Sequence, residues 1–150
     1  MSMRILVDAD SCPKVIKEIL FRVAYRTKLQ IIFVANCWLD LPKSEYIELK
    51  KVGSGFDVAD DEIIKMSQSG DLIITADIPL AYAVVKKGCL ALNPRGKVYS
   101  ENNIQDALSN RDLLSHLRDT GTITGGPGNL SKSNRQEFAN NLDKIIAQHQ

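Results

Sequence analysis

Three consecutive aliphatic residues, Ile5-Leu6-Val7, run straight into Asp8-Ala9-Asp10-Ser11-Cys12-Pro13. A short and continuously apolar run reads as a strand buried on both faces, and such strands belong to parallel sheets covered by helices on each side. Pro13 suits the first turn of a helix, because its missing N–H is one that a helix start leaves unbonded anyway. The chain is therefore expected to open with a strand, a polar turn and a helix. In sheets of this kind the carboxyl ends of the strands border the ligand crevice. Asp8 and Asp10 are delivered to that edge, where a buried carboxylate without a partner is costly.

The same alternation continues downstream. After a first strand at 4–8, Val15, Ile16, Ile19, Leu20 and Val23 recur at helical spacing over 13–26. A second buried strand is expected at 29–35, with Asn36 marking its end, and a half-exposed one at 46–52. A short helix follows at 59–67, whose first turn carries Asp60, Asp61 and Glu62. Residues 72–76 read as a buried strand ended by Asp77. Pro79 opens a helix that stops at Gly88, and residues 89–92 form a last short strand before a turn at Asn93-Pro94-Arg95-Gly96. A helix is expected at 103–119 and a C-terminal one at 131–150, capped by Ser131 or Ser133. Between them, residues 120–130 hold four glycines and a proline, which predicts a flexible loop able to act as a lid. The whole pattern predicts one domain over 1–150, a three-layer α/β/α sandwich with a mainly parallel sheet.

Composition narrows the function classes. The 150 residues carry a formal net charge of +1, which argues against a strongly basic nucleic-acid binder while leaving room for local patches. Three widely spaced cysteines without a C-x-x-C pair exclude a disulfide framework and a conventional structural zinc site. No apolar run approaches the length that spans a membrane, and the N-terminus enters a strand directly. A cytoplasmic protein without a membrane partner is expected.

Asp8 and Asp10 follow the first strand, Asp77 follows the strand at 72–76, and Asp60 and Asp61 open a helix between them. Converging carboxylates repel one another and raise their own pKa values. A divalent cation resolves that conflict, and hard oxygen donors suit Mg²⁺ or Mn²⁺. Such ions activate water for attack on a phosphodiester. Asn36 would reach the same rim. Plainer roles stand beside this reading: Asp60, Asp61 and Glu62 as solvated charges at a helix start, and Asp77 as a helix cap.

The ordered motifs VDADSCP at 7–13, Ala59-Asp60-Asp61, ITADIPLA at 74–81, LNPRG at 92–96 and GGP at 125–127 resemble the YaiI/YqxD family of uncharacterised bacterial proteins. The fold of that family is similar to the PIN-domain nucleases. The resemblance covers essentially the whole chain and implies a PIN-like sandwich with an acidic pocket. By analogy Asp8, Asp60 or Asp61, and Asp77 would bind metal, with Asp10 and Asn36 nearby. In the tail the family usually carries an aromatic and then an Asp-Arg pair after its GP. Here those positions are Leu130 and Asn134-Arg135, which removes one carboxylate from the expected set.

Lys14, Arg95, Lys97, Lys132 and Arg135 fall on turns or helix starts from which they could hold phosphates, Arg95 being the best placed, against the plainer role of solvated charge. Cys12 near a helix start is a weak nucleophile candidate, with no histidine beside it in sequence. Trp38 and Tyr46 flank Pro42; packing beneath that loop is the default expectation, with stacking on a base as the alternative. Three functional readings follow. The first is a metal-dependent nuclease or other phosphodiesterase acting on RNA, with Asp8, Asp10, Asp60 and Asp77 as its working groups. The second is a phosphatase of the haloacid-dehalogenase type, with Asp8 as nucleophile and Asp10 as general acid, although Cys12 stands where that motif wants Thr or Val. The third is a non-catalytic nucleic-acid-binding module.

Overall fold

A computed structural model describes residues 3–55, 58–110 and 130–149. Six strands form one sheet: β1 Ile5–Asp8, β2 Ile31–Ala35, β3 Ile47–Lys51, β4 Leu72–Ile74, β5 Leu90–Leu92 and β6 Val98–Tyr99. Their spatial order is β3-β2-β1-β4-β5-β6. The first five are mutually parallel, and β6 returns antiparallel to β5. The helices are α1 Lys14–Thr27, α2 Val58–Met66, α3 Ile78–Lys86, helical residues 104–110 (α4), and α5 Lys132–His149.

Two cores lie on opposite faces of the sheet, so the architecture is an α/β/α sandwich. Ile5 and Val7 face Ile16, Leu20 and Val23 of α1 and Phe138, Leu142 and Ile145 of α5. Leu6, Val34 and Ile73 face Ile63 of α2, Leu80 and Val84 of α3, and Ile104. Strand side chains alternate between faces, which is why neighbours in β1 belong to different cores. Ile5, Leu6 and Val7 are all fully buried, each contributing roughly 1.5–3 kcal/mol by leaving water. By the same alternation Asp8 follows Leu6 toward the α2–α3 side.

Helix ends follow local chemistry. Asp77 caps α3 by accepting the Leu80 N–H at 3.1 Å, with Pro79 in the first turn. At the start of α5, Ser131 Oγ accepts the Asn134 N–H at 3.0 Å while Asn134 Oδ1 accepts the Ser131 N–H at 3.1 Å. This reciprocal pair makes Ser131 the cap, with Asn134 in the place usually taken by Glu or Gln.

The structure adds two elements to the expected set. One is β6, a two-residue strand directly after the Asn93–Gly96 turn, so that 89–92 is not the last strand. The other is a 3-10 turn at Ala9–Ser11 between β1 and α1. The anticipated lid at 120–130, apart from Leu130, and residues 111–119 of the expected 103–119 helix lie outside the described residues. Among the described residues no helix is long and apolar enough to cross a membrane.

Candidate functional site

The strand order reverses direction at β1. From there β2 and β3 extend to one side and β4 and β5 to the other, and the chain leaves β1 and β4 for helices on opposite faces. A crevice opens at the carboxyl ends of strands at such a switch point. Asp8 ends β1, and Thr75 and Asp77 follow β4.

Hydrogen bonds tie the two strand ends together. Asp8 Oδ2 accepts from Thr75 Oγ at 2.8 Å and from Ser11 Oγ at 3.0 Å. Thr75 Oγ in turn accepts the Asp77 N–H at 3.0 Å, and Ser11 Oγ the Ala76 N–H at 3.4 Å. Across the turn, Asp10 Oδ2 accepts the Asn36 N–H at 3.3 Å, joining the loop after β1 to the end of β2. Asp8 is buried and its pKa is raised above the ordinary carboxylate value. Burial is the largest cause; the charges of Asp77 and Asp10 add to it, and the Thr75 and Ser11 hydroxyls oppose it.

Above this network lies an open cleft of about 310 Å³, lined by Asp8, Asp10, Ser11, Asn36, Gly55, Ala59, Asp60 and Asp77. Four carboxylates therefore reach one cleft from the β1 turn, the first turn of α2 and the cap of α3. No lysine or arginine lines it among the described residues. Their oxygens are hard donors suited to Mg²⁺ or Mn²⁺. Among the described residues, however, no three acidic, histidine or cysteine side chains stand close enough together to enclose one ion directly.

Several of the expected site residues are elsewhere. Asp61 is exposed on α2 and does not line the cleft, so of the adjacent pair it is Asp60 that faces the site. A helix turns about 100° per residue, and here that turn carries Asp61 out of the cleft that Ala59 and Asp60 line. Lys14 is exposed at the start of α1 and Lys97 on the turn before β6. Arg95 donates from a guanidinium nitrogen to Asn134 Oδ1 at 3.2 Å, bracing that turn against α5. Lys132 and Arg135 line a different groove of about 440 Å³ between α1 and α5, beside Arg22, Arg26 and Asp143. Cys12 is buried and its thiol is pushed up to about 12, first by burial, which makes it inert.

Sequence reading passed over Ser11 and Thr75, the hydroxyls that hold Asp8. Each had a signal: Ser11 lies three residues after Asp8, and Thr75 is the polar residue two before Asp77. Trp38 also departs from expectation. Tyr46 packs against the core, but Trp38 is 78% exposed.

A family model described as "Uncharacterized BCR, YaiI/YqxD family" matches residues 6–148. Proteins named "UPF0178 protein" are similar over nearly their full length. One from Shewanella halifaxensis is 55% identical over 147 residues, covering 98% of this chain and 97% of the relative. One from Maridesulfovibrio salexigens is 52% identical over 144 residues, covering 96% and 95%. A Vibrio cholerae relative is 53% identical over 145 residues, covering 97% of both. No solved structure matches the chain.

Proposed function

The chain belongs to the YaiI/YqxD family, and from the cleft it carries we propose that it is a divalent-metal-dependent phosphodiesterase acting on RNA. One observation carries this reading: four carboxylates line a single cleft in which, among the described residues, no basic side chain stands. A phosphodiester entering it meets only negative charge, and a cation must accompany it. Mg²⁺ commonly keeps several waters and takes only one or two carboxylates, so carboxylates that do not enclose an ion tightly still fit a partly hydrated one. Asp8 and Asp77 would hold it directly and Asp60 through its waters, with Asp10 at the rim.

When bound, such an ion polarises a phosphoryl oxygen and lowers the pKa of its water. The chain's own residues supply orientation. Thr75 and Ser11 fix Asp8 Oδ2, leaving Oδ1 as the oxygen for the cleft. Asp77 Oδ1 is engaged by the α3 cap, which directs its carboxyl group at the start of that helix. Asn36 lines the rim, where its amide would donate to a phosphate oxygen. The aspartyl-phosphate reading is less favoured. It needs a lysine beside the nucleophile to hold the phosphate, and no lysine lines the cleft among the described residues.

The test is cleavage of an end-labelled single-stranded RNA with Mn²⁺ or Mg²⁺ against the same reaction in EDTA. Cleavage is expected only with metal and should fall by about 10²-fold or more in Asp8→Asn. RNA left intact by wild type with either ion would refute the activity and favour a binding module.

A further inference from the structure

Trp38 is the chain's single tryptophan, and it stands 78% exposed two residues beyond the cleft-lining Asn36. Large aromatic side chains usually bury their surface or meet a partner. Here later residues of the loop have done the packing: Leu39, Leu41 and Tyr46 lie against the core, and Trp38 is left outside. Lys51 Nζ sits 5.6 Å from the centroid of its ring. That lysine ends β3, paired in register with Ala35 at the end of β2. Trp38 and Lys51 thus share the carboxyl edge of the sheet with the acidic cleft. Asp8, Val34 and Lys50 are register partners across three strands, so the end of β3 lies two inter-strand spacings, about 10 Å, from β1, and Lys51, like Leu49, points to the α1 side of the sheet.

We propose that Trp38 and Lys51 form a nucleotide subsite beside the cleft, Trp38 stacking on an unpaired base and Lys51 meeting the adjacent phosphate of a single-stranded nucleic acid. The inference rests on the phosphodiesterase reading for the orientation of the strand, but its stacking contact is independent of metal. Lys51 lies over one face of the exposed ring, and an aromatic platform paired with a cation is what single-strand binders present, since every base offers a π-face to stack on the other side. A base inside a duplex is already stacked on both sides and cannot use it. The cation also supplies what the cleft lacks: the phosphate next to the stacked base is neutralised outside the acidic ring. A small phosphomonoester would reach the cleft without touching this pair, so the subsite selects for a chain.

Because Trp38 is unique, its fluorescence reports the contact directly. A single-stranded oligoribonucleotide titrated in EDTA is expected to quench the emission to saturation, with the matching duplex at least several-fold weaker. Anisotropy of a labelled oligonucleotide should show Trp38→Ala about tenfold weaker, Trp38→Phe closer to wild type, and Lys51→Gln with a shallower salt dependence. Because the titration is run in EDTA, it reads this site apart from the metal site. Oligonucleotide binding that leaves the emission unchanged, or that Trp38→Ala does not weaken, would overturn the subsite. So would no binding at all, whatever calorimetry shows of metal at the cleft.

Discussion

Asp8 bears the greatest conflict in the molecule. Its side chain is buried, faces two other carboxylates, and accepts from two hydroxyls that relieve the strain only in part. Its folded pKa lies above the ordinary value of 3.8. Between those two values the native state binds more protons than the unfolded chain, so stability falls as pH rises through the window and stays lower above it. Asn at this position keeps an acceptor for Thr75 and Ser11 but carries no charge. In EDTA, Asp8→Asn is therefore expected to gain stability relative to wild type as pH rises from below 3.8 to 7, read by urea melts across that range. A difference independent of pH, or one that grows toward acid, would contradict the account of this residue.

At the scale of elements, the turn after β5 is built to meet α5. Gly96 has φ +103°, and a Cβ there would lie 2.8 and 2.9 Å from Glu137 side-chain carbons and 2.9 Å from the Phe138 backbone nitrogen. Asn141 also donates to the Gly96 carbonyl at 2.5 Å. Gly96→Ala is expected to cost on the order of 2 kcal/mol, since both the backbone conformation and the helix contact resist a side chain; thermal unfolding measures it. Arg95 reaches Asn134 Oδ1 from the same turn. Asn134→Asp would place a carboxylate opposite that guanidinium and in the first turn of α5, and should stabilise by about 0.3–1 kcal/mol at low salt, less at high salt. The same region shows what sequence patterns miss. Continuous apolar runs announced β1, β2 and β4, and periodicity announced α1. β6 has two residues and no alternation to detect, and it exists because the Asn93–Gly96 turn folds back on β5. The bond from Arg95 to α5 was not legible in the sequence because its partner lies 39 residues away. Asp60 and Asp61 could be told apart only once the orientation of α2 was known.

At the scale of the whole molecule, the strand order explains why residues as distant as 8, 36, 60 and 77 share one cleft. Each follows the carboxyl end of a strand or opens the helix after it, and the switch at β1 keeps the space between them open. The acidic pocket was legible from chain order, because Asp8 and Asp77 each end an apolar run. The hydroxyl bracing and the exposed tryptophan were not, since both depend on which side chains the core leaves room for. The central claim is that this cleft binds a divalent ion through Asp8 and Asp77, and calorimetric titration of Mn²⁺ into wild type and an Asp8→Asn, Asp77→Asn double variant tests it most directly. Asn preserves the acceptor at position 8 and the helix cap at position 77, so the variant should stay folded by circular dichroism. Saturable binding by wild type that disappears in the folded variant is the predicted result. Equal, weak binding by both proteins would contradict it and leave these aspartates as turn and cap residues only.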